Sequence, residues 1–275
     1  MYYELVSLFF TVYLLLAYYT ICKSHFLLKQ PYSVDNEQLS HVRILTYNIQ
    51  RLPYLYRPPI DIELLMKDHD IVCIQENFCS IFNPRASPKT NVYGCIYVSG
   101  IFTKITDSGL CIFSKVRFTF IDFVRFTNSR FVDKFADKGF LAIRIKDTVI
   151  INTHLQSTYN LENNYSKTAL DQLLQIKDYC KTNRFEKVII VGDFNLDIKT
   201  INIDGFDKLI PYIPTHWNKM KCIFNQSAIS QIDKSYMPYY YDGAYFKGVT
   251  IANGCTSCYD KYTDHLGVSF SCVIY

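Results

Sequence analysis

VIIVGDFNLD, residues 188–197, is the stretch on which the fold turns. Four β-formers in succession read as a strand buried on both faces, the kind found inside a layered sheet. Gly192 ends the run with a residue that lets the backbone pass close to a neighbour. Asp193 and Asn195 follow two apart, so in extended chain they share one face and leave the sheet end as a carboxylate and an amide. An Asx-type turn is the alternative use of the same residues.

Outward from this strand the same grammar recurs. Apolar or aromatic runs at Val42–Tyr47, Ile71–Gln75, Tyr93–Val98, Leu110–Phe113, Phe118–Phe123, Phe140–Ile145, Thr148–Thr153, Lys187–Val191, Asp242–Phe246 and Gly267–Ile274 are the strand candidates. Helical spacing is confined to Ile60–Lys67 and Ser166–Thr182, the latter with Leu170, Leu173, Leu174, Ile176 and Cys180 on one expected face. Many strands and few helices predict an α/β fold, a layered sandwich in one catalytic domain over residues 42–275.

Composition narrows the function. With 275 residues and 49% hydrophobic side chains the chain can bury a two-layer core. A net charge of +4 lacks the concentrated basic surface that tight, sequence-independent DNA binding needs. Of the ten cysteines, Cys73, Cys111 and Cys272 sit inside apolar runs as small hydrophobes, which argues against a disulfide scaffold. Cys255-x-x-Cys258 lacks a second metal-binding pair at suitable spacing.

The amino terminus is set apart. LVSLFFTVYLLLAYYTIC, residues 5–22, runs 18 residues without a charge, close to the length that spans a bilayer core. Glu4 before it and large residues at its end favour an uncleaved anchor over a signal peptide, with a cleaved signal and a buried helix as alternatives. Residues 1–28 are thus expected to be an N-terminal membrane helix and 29–41 a polar linker. Lys23 and Lys29 follow the span while no cation precedes it, which places the domain on the cytoplasmic side; a cleaved signal would make the protein secreted.

Polar side chains with chemical capacity border the strands. RILTYNIQ ends in Asn48 and DIVCIQEN in Glu76, hard oxygen donors suited to Mg²⁺, or Mn²⁺ in its place. INTHLQS sets His154 and Gln156 two apart, both able to donate to phosphate oxygens. YTDHLGVSF places Asp264 and His265 before the last strand, where an imidazole can take a proton near neutral pH. Asp242 is the best candidate to orient it.

The order Asn48, Glu76, His154, Asp193-x-Asn195, Asp264-His265 resembles the endonuclease/exonuclease/phosphatase superfamily over nearly all of Arg43–Tyr275. The resemblance implies a four-layered α/β/β/α sandwich with a cleft at one end of the sheets. Glu76 would hold the metal with Asn48 beside it, His265 would activate water, and Asp264 would support the metal-water network. Asn195 and His154 would grip phosphate oxygens, Asp193 would assist nucleophile or leaving oxygen, and Asp242 would orient His265.

Within the superfamily, three stretches are similar to neutral sphingomyelinases. They are DSGLCIFSK at 107–115, FVDKFADKGFLAIRI with Asp133 and Lys138 in an Asp-x₄-Lys-Gly setting, and THLQSTYN with the helix carrying Gln172. Lys167 or Thr168 stands where an Arg is expected, a departure in one contact. Gln50 stands where many nucleases have a second carboxylate, which counts against a repair nuclease. The implied activity is Mg²⁺-dependent hydrolysis of sphingomyelin to ceramide and phosphocholine at a membrane, with Lys138 adding a cation to the phosphate site. A nuclease, for which nucleic acid would be the partner, and a tethered binding protein without turnover are the competing readings.

Overall fold

The computed structural model describes residues 41–52, 60–78, 93–96, 106–158, 163–216, 239–259 and 263–274, with short pieces at 11–12, 15, 27–29, 86 and 104. The chain runs β1 (Leu27–Lys29), β2 (His41–Arg51), α1 (Ile62–Lys67), β3 (Ile71–Asn77), β4 (Tyr93–Ile96), β5 (Cys111–Ser114) and β6 (Thr119–Arg125). A 3₁₀ turn (Phe131–Phe135) leads to β7 (Gly139–Ile145), β8 (Thr148–His154), α2 (Asn163–Thr182), β9 (Lys187–Asp193) and β10 (Asp207–Leu209). The closing strands are β11 (Asp242–Lys247), β12 (Thr250–Tyr259) and β13 (Leu266–Val273).

These strands form two mixed sheets. The first is seven-stranded in the order β1-β4-β5-β3-β2-β13-β12; the second is six-stranded in the order β10-β11-β9-β8-β7-β6. Among the described strands, only the β2–β3 and β8–β9 pairs are parallel. Period-two alternation divides the apolar side chains among three cores. Ile44, Cys73, Ile112 and Phe270 of the first sheet meet Leu141, Ile143, Ile189 and Val191 of the second in the central layer. Leu45, Tyr47, Val72 and Ile74 point the other way, onto Ile62 and Met66 of α1. Ala142, Ile151, Val188 and Ile190 lie under Ala169, Leu173, Ile176 and Cys180 of α2. The result is helix, sheet, sheet, helix, as expected.

Details differ from the sequence reading. Leu174 is 42% exposed, because the buried stripe of α2 runs through Ala169, Leu173, Ile176 and Cys180 and leaves position 174 turned away. Helix α1 starts at Asp61, whose carboxylate accepts from the Glu63 and Leu64 amides. Strand β1 carries the chain into the sheet at Leu27–Lys29, so the expected linker begins inside a strand. Most of the expected span at residues 5–22 lies outside the described residues, and among the described residues no helix is long and apolar enough to cross a membrane.

A buried amide pair joins the two sheets. Gln75 on β3 donates from Nε2 to Asn152 Oδ1 on β8 at 2.6 Å, and Asn152 Nδ2 donates to the carbonyls of Ile74 and Cys111, each at 2.9 Å. Both side chains are fully buried, so these bonds are stronger than their exposed equivalents and costly to leave half made. At the parallel β8–β9 pair, Gly192 has φ of 149°, and a Cβ there would run into the Thr153 carbonyl. That close approach is what the glycine in VIIVGDFNLD permits.

Candidate active site

Register places the site. His154 ends β8 opposite Asp193, the last residue of β9, and Asp193 in turn lies opposite Asp242 at the start of β11. Three polar side chains thus stand in one row at the end of the second sheet. The first sheet supplies Asn48 from β2, Glu76 from β3, and Asp264 and His265 just before β13. Two hydrogen bonds cross between the sheets here, Asn48 Nδ2 to Asp193 Oδ2 at 2.9 Å and His265 Nδ1 to Asp242 Oδ2 at 2.8 Å.

Asp193 is the hub. Its Oδ2 lies 3.6 Å from both His154 Nε2 and His265 Nε2, and its Oδ1 accepts from the Asn195 amide at 2.9 Å. Burial alone would raise its pKa, but the two imidazoles and the bonds from Asn48 and Asn195 hold it below the ordinary carboxylate range. Asn195 has φ of 48° and Glu76 of 54°, so both side chains are presented from left-handed backbone. Asn195 donates from Nδ2 to the Leu155 carbonyl at 3.3 Å, which leaves one amide hydrogen for another acceptor.

The two histidines differ. Burial lowers His154 to about 4, helped by the charge of Lys138, so at neutral pH it is an uncharged imidazole. Burial also acts to lower His265, but Asp242, Asp193 and Asp264 outweigh it and raise the pKa to about 10. Asp242, buried beside its imidazole partner, is pushed up to about 6. Three carboxylates around one imidazole make the retained proton on His265 the dominant effect. The Asp242 bond fixes Nδ1–H and points Nε2 into the site.

Hard-oxygen ligands are available where the sequence placed them. Glu76 is 5% exposed, its Oε1 lies 3.8 Å from His154 Nε2, and its buried Oε2 has no hydrogen-bond partner. A buried carboxylate oxygen without a donor is the position a divalent cation satisfies. Asn48 Oδ1, which accepts from the Gln50 amide at 3.0 Å, keeps a second lone pair, and Asn48 pairs across the parallel β2–β3 seam with Gln75, the residue before Glu76. These residues fit Mg²⁺.

Other predicted residues stand apart. Lys138 is buried and held by the Leu155 carbonyl at 3.0 Å and by Asp133 at 3.5 Å, while Asp133 accepts from the Ser157 amide at 2.8 Å. The pair braces the loop behind His154, and from there the ammonium acts on the His154 imidazole. Gln156, read as a phosphate donor, instead accepts from the Arg130 amide at 2.6 Å and donates to the Ser157 carbonyl. The strand ends at His154, so the alternation used to aim Gln156 no longer applies. Gln172 accepts from the Gln156 amide at 2.7 Å, and Arg130 reaches Thr168 at 2.8 Å, so a guanidinium meets the helix from the opposite strand end.

Three site residues were missed by sequence reasoning. Thr215 Oγ1 accepts from the Asp242 amide at 3.0 Å, and Thr263 Oγ1 donates to the Asn48 carbonyl at 2.9 Å. His216 forms backbone bridges with both Tyr239 and His265, and its Nε2 lies 3.6 Å from Asp264 Oδ2. Their partners are 23 to 215 residues away in sequence, and PTHW at 214–217 carries no periodic signal.

A model of the Endonuclease/Exonuclease/phosphatase family matches residues 45–236. A variant of beta toxin from Staphylococcus aureus with bound magnesium ions aligns over 83% of this chain and 98% of its own, at 15% identity and a TM-score of 0.56. Sphingomyelinase C from Streptomyces griseocarneus aligns over 84% of this chain and 99% of its own, at 15% identity and a TM-score of 0.53. D. rerio TDP2 complexed with a single strand DNA product aligns over 86% of this chain and 100% of its own, at 14% identity and a TM-score of 0.52. At such identities the likeness is one of fold. No curated protein sequence matches the chain.

Proposed function

Because the chain belongs to the Endonuclease/Exonuclease/phosphatase family, we propose that this hydrolase is a Mg²⁺-dependent phosphodiesterase of the sphingomyelinase type, releasing phosphocholine from sphingomyelin. The observation that carries the reading is the pair of hydrogen bonds across the sheet seam, Asn48 to Asp193 and His265 to Asp242. Together they bring acid, base and amide donors to one end of the two sheets.

In this reading His265 Nε2 takes a proton from the attacking water as the phosphorus–oxygen bond to ceramide breaks, Asp242 stabilises the imidazolium through Nδ1–H, and the departing ceramide oxygen takes its proton from solvent. Neutral His154 and the spare Asn195 amide hydrogen donate to the non-bridging phosphate oxygens as charge grows there. Asp193, held ionised, keeps both imidazoles and Asn48 in place. Glu76 and Asn48 would hold Mg²⁺, which when bound would supply positive charge that eases loss of a proton from the attacking water and weakens the hold of His265 on its own proton.

The lipid substrate is supported by Asp133 and Lys138 in their Asp-x₄-Lys-Gly setting, and by the apolar run at residues 5–22. As an anchor, that run would hold the domain at the cytoplasmic face of a membrane and raise its local concentration at the substrate. The comparable likeness to TDP2 supports a second reading, a nucleic-acid phosphodiesterase on the same site. The test is a parallel assay of purified protein with Mg²⁺ on sphingomyelin vesicles, phosphatidylcholine vesicles and supercoiled DNA. Phosphocholine release from sphingomyelin, lost in Glu76→Gln, is the expected result. Nicking of DNA without lipid hydrolysis would establish the second reading instead.

A further inference from the structure

We propose that His216, Asp264 and His265 form a second, nitrogen-rich metal site, which takes a borderline divalent ion of the Zn²⁺ class and holds the hydrolase inactive. One nitrogen or oxygen from each of the three residues lies within 4.8 Å of the others. His216 Nε2 is 3.6 Å from Asp264 Oδ2, and His265 Nε2 is 3.8 Å from Asp264 Oδ1. Ligand atoms on a tetrahedral Zn²⁺ with bonds of about 2.0–2.1 Å stand about 3.3–3.4 Å apart. The two imidazole–carboxylate pairs lie within about 0.5 Å of that spacing, and the whole cluster, within 4.8 Å, closes on an ion with side-chain shifts of about an ångström.

The imidazoles are already aimed. Asp242 fixes His265 Nδ1, so Nε2 is the ligating nitrogen, in the carboxylate–histidine–metal arrangement that orients metal ligands. His216 is held by its backbone, which donates to the Tyr239 carbonyl at 3.1 Å, while the next pairing along, Leu266 amide to Thr215 carbonyl, is 2.7 Å. Its ring packs against those of His265 at 4.7 Å and Tyr241 at 4.9 Å. Asp264 and His265 are buried, whereas the His216 side chain is 16% exposed, so the solvent side of the cluster is where a fourth ligand, water, enters.

Donor chemistry separates this site from the first. Two imidazoles and one carboxylate match the donor set of catalytic zinc centres, whereas Mg²⁺ prefers the oxygens of Glu76 and Asn48. The charges facing the cluster, Asp193, Asp242 and Asp264, favour any cation that enters. The inhibitory half rests on the proposed function: His265 Nε2 cannot both bind a metal and take a proton from water. The binding half does not.

The experiment titrates chelator-stripped full-length protein with Zn²⁺ against a chromogenic chelator, without Mg²⁺. One Zn²⁺ per chain is expected. His216→Phe, which keeps the ring packing and removes the nitrogen, should weaken binding more than about tenfold, and Glu76→Gln should leave it within about twofold. Unfolding midpoints of both variants check that they fold. In the Mg²⁺-supported assay, Zn²⁺ should inhibit the parent protein and need more than about tenfold higher concentration against His216→Phe. Zn²⁺ binding unaltered by His216→Phe, or no stoichiometric binding at all, overturns the proposal. Absence of sphingomyelin hydrolysis with His216-dependent Zn²⁺ binding would instead strike the proposed function and leave this site standing.

Discussion

His154 and His265 are buried almost equally, at 3% and 4% exposure, and share one carboxylate at 3.6 Å, yet they are driven in opposite directions. His154 has no hydrogen-bond partner on either nitrogen and faces a buried ammonium; it falls to about 4. His265 is bonded to Asp242 and ringed by carboxylates; it rises to about 10. Burial pulls both histidines down; it prevails at His154, where a buried ammonium adds to it, and is overridden at His265 by the carboxylates. The charges placed against each ring therefore decide the outcome, and here the difference separates a neutral donor from a proton carrier.

The largest expected effect comes from deleting each ring in turn. His265→Ala should lower kcat by about 10³–10⁴-fold, and His154→Ala by about 10²-fold, in vesicle hydrolysis at saturating Mg²⁺. Equal losses would erase the proposed division of roles. Next comes Asp242→Asn, which keeps shape but removes the charge supporting the imidazolium. A drop in kcat of about 10²-fold is expected, with the acid limb of the pH profile moved to lower pH, because His265 then loses its proton more readily. A fall in rate without movement of that limb would make Asp242 a packing residue only.

A smaller effect sharpens the other side. In Lys138→Met, the histidine signal of His154 followed by NMR should titrate above its parent position of about 4. It should remain below 6.5, because burial is the larger cause and persists. The smallest effect isolates burial itself, at His69. That ring bonds the Leu65 carbonyl and Ser269, and burial lowers its pKa below 6.5. The unfolded chain then binds the proton more tightly, so the contribution of His69 is complete above pH 6.5 and is lost as pH falls through the folded value. Urea midpoints at pH 7 and 5 should show His69→Gln less acid-sensitive than the parent.

Most of the architecture was legible because strands inside a sandwich keep a simple alternation. Ile44 and Leu45, or Cys73 and Val72, sort to opposite faces without any further information. Strand β12 was missed because TIANGCTSCY mixes Gly, Ser, Thr and Asn and contains two register shifts against β13. β10 is too short, at three residues, to show a period. For the site, Asn48, Glu76, His154, Asp193 and His265 stood out because each ends or borders an apolar run. His216, Thr215 and Thr263 did not, since their significance lies in partners brought near only by the closed sandwich. Gln156 failed for the opposite reason: a local rule was extended two residues past the strand that justified it.

The amide pair Gln75–Asn152 has a consequence beyond holding the core together. One residue of slippage along a strand moves a side chain about 3.3 Å, enough to part Asn48 from Asp193 and His265 from Asp242, since each couple has one member on either sheet. By pinning the two sheets together right beside the site, this pair acts as a rivet between two blades. A molecule that lost it would keep its layers and its individual side chains, and would lose the alignment of the edges that makes them cut.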